Sequence, residues 1–326
     1  MSERPRPRRL EWWHLVALGL LGIQLAITLG AFARPGPLGV ILWMFRADLI
    51  LWGGLALLIG LAALVTSVVR RPLLTRWRLI GVGLLVMLAA LPMVPLAYPS
   101  SHDDRPSLVD FRLPFDGPIT VGWGGGTPEV NYHVVAPDQR WAYDLLVSRD
   151  GRTFKGEGTD LFDYHCYDMP IRSPADGVVI VASDGDPDMT PGELGGGSTA
   201  FGNHIIMKVA EGEFLFLAHL KPGSVAVRQG DIVKAGQVVG RVGNSGNTSE
   251  PHLHIHLQDT PEKHLGEGIP MPFSRYRIVG GGRVERGIPT GGFRDGKLAG
   301  QVIEHDGDAP PPEGEPTTAD APGESR

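Results

Sequence analysis

Cysteine is almost missing: Cys166 stands alone in 326 residues, which excludes an internal disulfide and leaves the redox compartment unread from cysteine pairing. An excess of positive charge is missing too. The chain sets 30 Lys and Arg against 36 Asp and Glu, for a formal net charge of -6. Binding a phosphate backbone needs a basic surface, so nucleic acid is excluded as the main partner. Helical periodicity is lacking after Tyr98, and charge is scarce before it. What is present is two unlike halves, an apolar N-terminal hundred residues and a polar remainder rich in Gly and Pro.

The apolar half reads as three membrane spans. Trp13 to Ala33 carries no charge and is long enough as a helix to cross a hydrocarbon core of about 30 Å. A second stretch runs from Leu49 to Val69 and a third from Leu79 to Tyr98. A cleavable signal peptide would account for the first alone. Arg4, Arg6, Arg8 and Arg9 precede the first span, and Arg70, Arg71, Arg76 and Arg78 join the second to the third, whereas Arg34 and Arg46 alone lie in the other link. Arginine-rich segments stay cytoplasmic, so the N-terminus is expected inside and everything after Tyr98 outside. Arg46 and Asp48 read as interfacial residues, given the cost of burying charge in lipid. Pro92 and Pro95 are tolerated near a membrane exit. The expected layout is a basic cytoplasmic segment at 1–12, a membrane region at 13–98, a linker at 99–112, a β-rich domain at 113–305 and an acidic, proline-rich disordered tail at 306–326.

After the linker come short apolar runs bounded by Gly, Pro and Asp, the pattern of antiparallel strands and turns. They include 119–121, 132–135, 141–147, 177–182, 204–209 and 213–220. The expected fold is therefore transmembrane helices followed by an all-β domain, as two antiparallel sheets or a flattened barrel. Gly230, Gly236, Gly240, Gly243 and Gly246 break the following stretch every three to six residues, so its strands must reverse often. That shape resembles the half-repeats of lipoyl and biotinyl carrier domains, with Lys234 as the modifiable lysine. The flanking Met or Asp of such a hairpin is missing, however, and the histidines would have no purpose.

The most informative stretch is Pro251-His252-Leu253-His254-Ile255-His256. Successive side chains of a strand point to opposite faces, so three imidazoles share one face while Leu253 and Ile255 pack on the other. A catalytic zinc usually takes three protein ligands and leaves a fourth position open. This strand offers one or two, and the rest must come from elsewhere; His102, His133, His165, His204 and His219 lie upstream. His133 sits in an alternating run and Asp144 in the next, with Pro137-Asp138 between them to turn a hairpin. A carboxylate in the apolar run Tyr143-Asp144-Leu145-Leu146 is costly unless it binds a cation, which favours Asp144 as a ligand.

Here the blocks Asn131-Tyr132-His133, Gln139-Arg140-Trp141-Ala142-Tyr143-Asp144, Ser173-Pro174-Ala175-Asp176-Gly177, Gly202-Asn203, Ala218-His219-Leu220 and Pro251-His252-Leu253-His254 are similar, in type and order, to those of the lysostaphin-type, or LytM-like, zinc metallopeptidases. The resemblance runs from Leu113 to Phe273 and implies a barrel-sandwich-like core. It further implies one zinc per chain held by His133, Asp144 and His254, with His219 and His252 as catalytic groups, and hydrolysis of peptide bonds in bacterial peptidoglycan. Zinc would activate a water and polarise the scissile carbonyl, while the imidazoles handle protons. One departure stands out. The family commonly places three residues between its first histidine and the aspartate, where ten separate His133 from Asp144. Asp138 is the weaker substitute, because a turn aspartate usually caps its own backbone.

The remaining histidines have plainer readings. His256 continues the triplet face as an orienting neighbour or a solvated strand residue, and His204 packs. His165 and Cys166 would point apart as neighbours on a strand, which argues against a cysteine mechanism. The expected partners are peptidoglycan peptides and the lipid bilayer, with room for a regulatory membrane or wall protein. The competing function is a non-catalytic wall-binding or regulatory module of the same fold that activates another hydrolase.

Overall fold

Four helices precede the sheet. The computed structural model describes residues 10–69, 73, 75–193, 199–294 and 297–306. The helices are α1 (Trp12–Ala33), α2 (Pro37–Ala47), α3 (Leu49–Val69) and α4 (Arg76–Ala90). Three are long and apolar enough to cross a membrane: Trp12–Ala33, Leu49–Val69 and, with the 3-10 turn after α4, Arg76–Met93. The third ends short of the expected Tyr98 because Pro92 and Pro95 lack the N–H that would continue it. Leu25, Leu29, Ile50, Leu57 and Val86 all point outward, whereas a helix on a water-soluble core turns such residues in. Of the arginines that set the expected orientation, Arg4, Arg6, Arg8, Arg9, Arg70 and Arg71 lie outside the described residues, as does the tail beyond Asp306.

Helix α2 corrects the expectation of a simple link between the first two spans. Gly36, the N-cap of α2, holds φ +97°, which favours glycine, and Pro37 fits the first turn of that helix. Arg46, in the last turn of α2, is buried, donates to the Val94 carbonyl at 2.9 Å and lies over the Trp43 ring. Asp48 accepts from the Leu51 amide at 2.9 Å and so starts α3.

Beyond the helices the described chain is β-structure with two short 3-10 turns, Tyr132–Val135 and Leu161–Asp163. Its strands are β1 (Ile119–Trp123), β2 (Tyr143–Leu146), β3 (Pro170–Arg172), β4 (Gly177–Ser183), β5 (Asn203–Ala210), β6 (Glu213–Leu220), β7 (Ile232–Val233), β8 (Val238–Arg241), β9 (Leu253–Gln258), β10 (Phe273–Ile278), β11 (Arg283–Gly287), β12 (Phe293–Arg294), β13 (Lys297–Leu298) and β14 (Val302–His305). Ten of them form one antiparallel sheet in the order β11-β10-β14-β1-β2-β9-β6-β5-β4-β7, with β3–β8 and β12–β13 as separate pairs. The expected all-β domain of antiparallel sheets is what the chain forms, with one wide ladder supplying most of the strands and β3–β8 packing Ile171 and Val239 into the same core. Register shifts in β1, β4 and β5 let so wide a sheet bend.

One face of the sheet is the core. Tyr143, Leu145, Ile205, Met207, Leu215, Leu217, Leu253, Ile255 and Leu257 pack there with Phe111, Leu113, Ile171, Val239 and Val242. Alternation leaves Asp144, Phe216, Ala218, His254 and His256 on the other face. Both faces of β9 are buried, so a slip by one residue would drive its imidazoles into the aliphatic core, where they find no hydrogen-bond partners, and set Leu253, Ile255 and Leu257 among polar groups. The core therefore fixes which face the histidines occupy.

The segment at 99–112, expected as a linker, lies along the domain. Ser100 Oγ donates to the Gly268 carbonyl at 2.9 Å, and the Ser107 amide donates to the Pro270 carbonyl at 3.0 Å. Glu267 joins helices to sheet, accepting from the Gly36 amide at 3.0 Å, Tyr98 Oη at 2.5 Å and Ser101 Oγ at 2.5 Å. Trp43 of α2 donates through Nε1 to the Val135 carbonyl at 2.7 Å and meets Tyr98 edge-on.

Candidate metal centre

Strands β2, β9 and β6 lie side by side. Asp144 pairs directly with His254, and Ala218 flanks His254 on its other side. Opposed residues of an antiparallel ladder have close Cβ atoms, so the register alone brings carboxylate to imidazole. His254 Nδ1 lies 2.9 Å from Asp144 Oδ1.

His133 arrives by a different route from the one expected. It occupies a 3-10 turn, Tyr132–Val135, rather than a strand of a hairpin. Asn131 is the cause: its side chain accepts from the His133 amide at 3.1 Å and from the His133 ring at 2.9 Å, capping the turn. Its own amide group donates to the carbonyls of Gly125 at 2.9 Å and Ala142 at 3.0 Å. With Nδ1 donating to Asn131, the His133 Nε2 is the free nitrogen, 3.5 Å from Asp144 Oδ1. The ten-residue spacing therefore closes through a capped turn.

Ligand atoms of His133, Asp144 and His254 all lie within 4.8 Å of one another, and all three residues are buried. Zinc bonded at 2.0–2.1 Å in a tetrahedron sets its ligands about 3.3 Å apart, and the 2.9 and 3.5 Å separations straddle that. Two imidazoles and a carboxylate are an ordinary zinc donor set, so the residues fit the ion.

His219 and His252 stand beside this group. His252 Nε2 lies 3.5 Å from Asp144 Oδ1, and the two rings are 4.8 Å apart. His219 Nδ1 donates to the Ser245 carbonyl at 2.8 Å and His252 Nδ1 to the Glu250 carbonyl at 2.8 Å, which leaves each Nε2 on the side of the cleft, that of His252 next to Asp144. His219 adopts φ +62°, a conformation that non-glycine residues rarely hold and that clusters at functional sites. Both face a cleft of about 360 Å³ lined also by Trp123, Tyr132, Asp144 and Phe293. Tyr132 Oη donates to Asp144 Oδ2 at 3.3 Å. Sequence reasoning assigns Tyr132 and Asn131 no role of their own, although an Asn two residues before a histidine is the signal of such a cap.

Burial dominates the electrostatics. It pushes His133 and His256 down to about 3 and His219 well below its ordinary value. Burial would raise Asp144, but the imidazoles of His133 and His252 around it outweigh that and hold it well below the usual carboxylate range. His252 moves up, because Asp144 and the Glu250 carbonyl outweigh its burial.

The other candidates fall outside. His256 is fully buried, not solvated, and its Nδ1 lies 3.0 Å from His254 Nε2. His204 is buried and bonds the Gly202 carbonyl at 2.6 Å. His165 and Cys166 lie in a turn rather than a strand; burial pushes the Cys166 thiol up to about 12 and it donates to the Pro251 carbonyl, so it is a poor nucleophile. Asp138 accepts from the His264 amide at 3.1 Å and does not join the cluster. His102 groups with Asp259 and Glu267, but Glu267 is the clasp to the helices described above. Lys234 is exposed and paired with Asp176 at 2.8 Å.

Residues 156–265 match the family model described as Peptidase family M23. The matched span contains His219, His252 and His254 and begins after His133 and Asp144. The chain is 32% identical over 93 residues to the cell division protein DipM of Caulobacter vibrioides, covering 28% of this chain and 14% of that protein. It is also 32% identical over 116 residues to an L-Ala–D-Glu endopeptidase of Bacillus subtilis, covering 32% of this chain and 31% of that one. The chain thus spans less than a third of the length of these curated relatives. Among solved structures, the catalytic domain of a mutant of the prophage-encoded M23 protein EnpA from Enterococcus faecalis aligns with 49% of this chain and 94% of its own length, at 21% identity and a TM-score of 0.33.

Proposed function

We propose, for a chain whose residues 156–265 carry a peptidase family M23 domain, that it is a membrane-anchored zinc endopeptidase of bacterial peptidoglycan. The observation that carries the reading is the convergence of His133, Asp144 and His254 beside two further imidazoles that are anchored through Nδ1 and line the same cleft. The catalytic unit would be residues 113–305, held by the three apolar helices with the N-terminus cytoplasmic and the cleft on the outer side of the membrane. The arginine asymmetry supports that orientation.

His133 Nε2, one Asp144 oxygen and His254 Nδ1 would hold one zinc, which when bound lowers the pKa of a coordinated water to about 7 and polarises a carbonyl. The chain's own residues do the rest. His219 and His252, anchored through Nδ1 to backbone carbonyls, present Nε2 to the cleft. One takes the proton released as water attacks the scissile carbonyl carbon, and the same proton passes to the departing amide nitrogen as the C–N bond breaks. The other donates to the oxygen on which charge develops. Trp123, Tyr132 and Phe293 wall the cleft and would exclude water around the peptide.

The reading is tested on the full-length protein in detergent by metal analysis together with mass spectrometry of digested peptidoglycan. About one zinc per chain is expected, with released peptides that vanish on chelation and in Asp144→Ala. Peptide release that persists without metal sinks the enzyme reading. Zinc at full occupancy with no release from any peptidoglycan chemotype turns the assignment to the non-catalytic regulatory module.

A further inference from the structure

Behind His254 runs a buried hydrogen-bond chain that ends on main-chain carbonyls of the loop after β9. His254 Nε2 lies 3.0 Å from His256 Nδ1, and His256 Nε2 lies 3.2 Å from Gln258 Oε1. All three belong to the same face of β9, and His256 and Gln258 have no solvent exposure. The far end fixes the direction. Gln258 Nε2 lies 2.6 Å from the Thr260 carbonyl and 2.9 Å from the Glu262 carbonyl, both of which only accept, so the amide group points there and Oε1 faces His256 as an acceptor.

The proton positions follow. His256 must carry hydrogen on Nε2 to donate to Gln258. A second hydrogen on Nδ1 would make it a cation buried against the stacked Phe216 ring, and the carboxylate nearby, Asp138, already accepts from His264. His256 Nδ1 is therefore an acceptor and His254 Nε2 the donor. That leaves the His254 Nδ1 lone pair aimed at Asp144 Oδ1, 2.9 Å away. Two acceptors at that distance repel each other unless a shared cation lies between them.

We infer that the buried His256–Gln258 pair is a positioning relay that fixes the tautomer and ring orientation of His254, so that Nδ1 rather than Nε2 is offered to the metal. The inference rests on the metal-site reading above and deepens it. Asn131 does the same for His133, but through a neighbouring cap; the β9 relay uses an imidazole as an intermediate link, which transmits direction because its two nitrogens take opposite roles.

The test uses full-length protein in detergent, with zinc affinity measured by competition against a chromophoric chelator and histidine tautomers by 15N chemical shifts. His256→Phe keeps the ring stacked on Phe216 and removes both links; zinc affinity is expected to fall about 10–100-fold, as for other orienting partners of metal-bound imidazoles. His256→Gln can accept from His254 and donate to Gln258, and is expected to restore affinity to near that of the native protein. In the native protein the His254 signals should show hydrogen on Nε2, and His256→Phe should mix the tautomers. Gln258→Leu removes only the terminal acceptor and serves if His256→Phe fails to fold; it should weaken zinc in the same direction. Unchanged affinity in folded His256→Phe or Gln258→Leu, or hydrogen on His254 Nδ1 in the metal-loaded protein, overturns the relay. Absence of zinc binding by the native chain overturns the metal reading instead.

Discussion

His219 shows what a single residue is asked to do at this site. It holds φ +62° within β6, with its backbone amide bonded to Phe201 and its carbonyl to Gly243. The strain turns an imidazole toward the cleft from a strand whose neighbouring side chains, Leu217, Ala218 and Leu220, are all buried. Replacing His219 with Ala should leave zinc bound while peptide release falls by about 10²–10⁴, the usual worth of a positioned proton carrier. Metal analysis and a peptide-release assay on the same preparation check both halves; loss of zinc in this variant would make His219 a ligand. The residues of the proposed site are legible because histidines and an aspartate are conspicuous in apolar runs. The supporting groups are not. Ser245 and Glu250 contribute only main-chain carbonyls, and a carbonyl carries no mark in the sequence.

At the scale of elements, β9 is legible and the turn bearing His133 is not. Leu253 and Ile255 alternate with histidines, and period two has one structural meaning when one face is a core. Tyr132-His133-Val134-Val135 shows similar apolarity over four residues, too short for period to separate a strand from a 3-10 turn. Only the Asn131 cap decides it. Helix α2 escapes the sequence reading because a short apolar stretch next to two charged residues reads as a link until Gly36 and Pro37 are taken as the cap and first turn of a helix.

Loop packing is equally hidden. Gly202 has φ +56°, and a Cβ there would lie 2.3 Å from the Ser245 main chain, whose carbonyl holds His219. Gly202→Ala should cost about 1–3 kcal/mol through overpacking alone, read as a lowered midpoint of thermal unfolding. Peptide release should fall further than stability alone explains, because the Ser245 carbonyl must move. An unfolding midpoint matching the native protein would contradict the packing.

For the molecule as a whole, the sequence splits into an apolar and a β-rich half, and the structure joins those halves closely. The proposed topology puts the β-domain outside. Cys166 is buried with its thiol pushed up to about 12, so the native chain offers a silent background for labelling. A cysteine introduced as Glu157→Cys, on an exposed turn, should react in spheroplasts with a maleimide that cannot cross the membrane. Reaction only after the membrane is permeabilised would reverse the orientation. What the sequence could not show is how the two halves meet, since contacts such as Trp43 with Val135 and Gly36 with Glu267 join residues 92 and 231 positions apart.

Those contacts bear on where the protein can work. A hydrolase on a flexible tether searches a volume set by the slack in its linker, which grows with the square root of its length. Here the slack is taken up: the chain after α4 lies along the domain, and Glu267 and Trp43 clasp it to the helix ends. In the proposed topology the cleft then rides at a fixed height above the bilayer. Its reach is a thin layer next to the membrane, and material farther out must come to it.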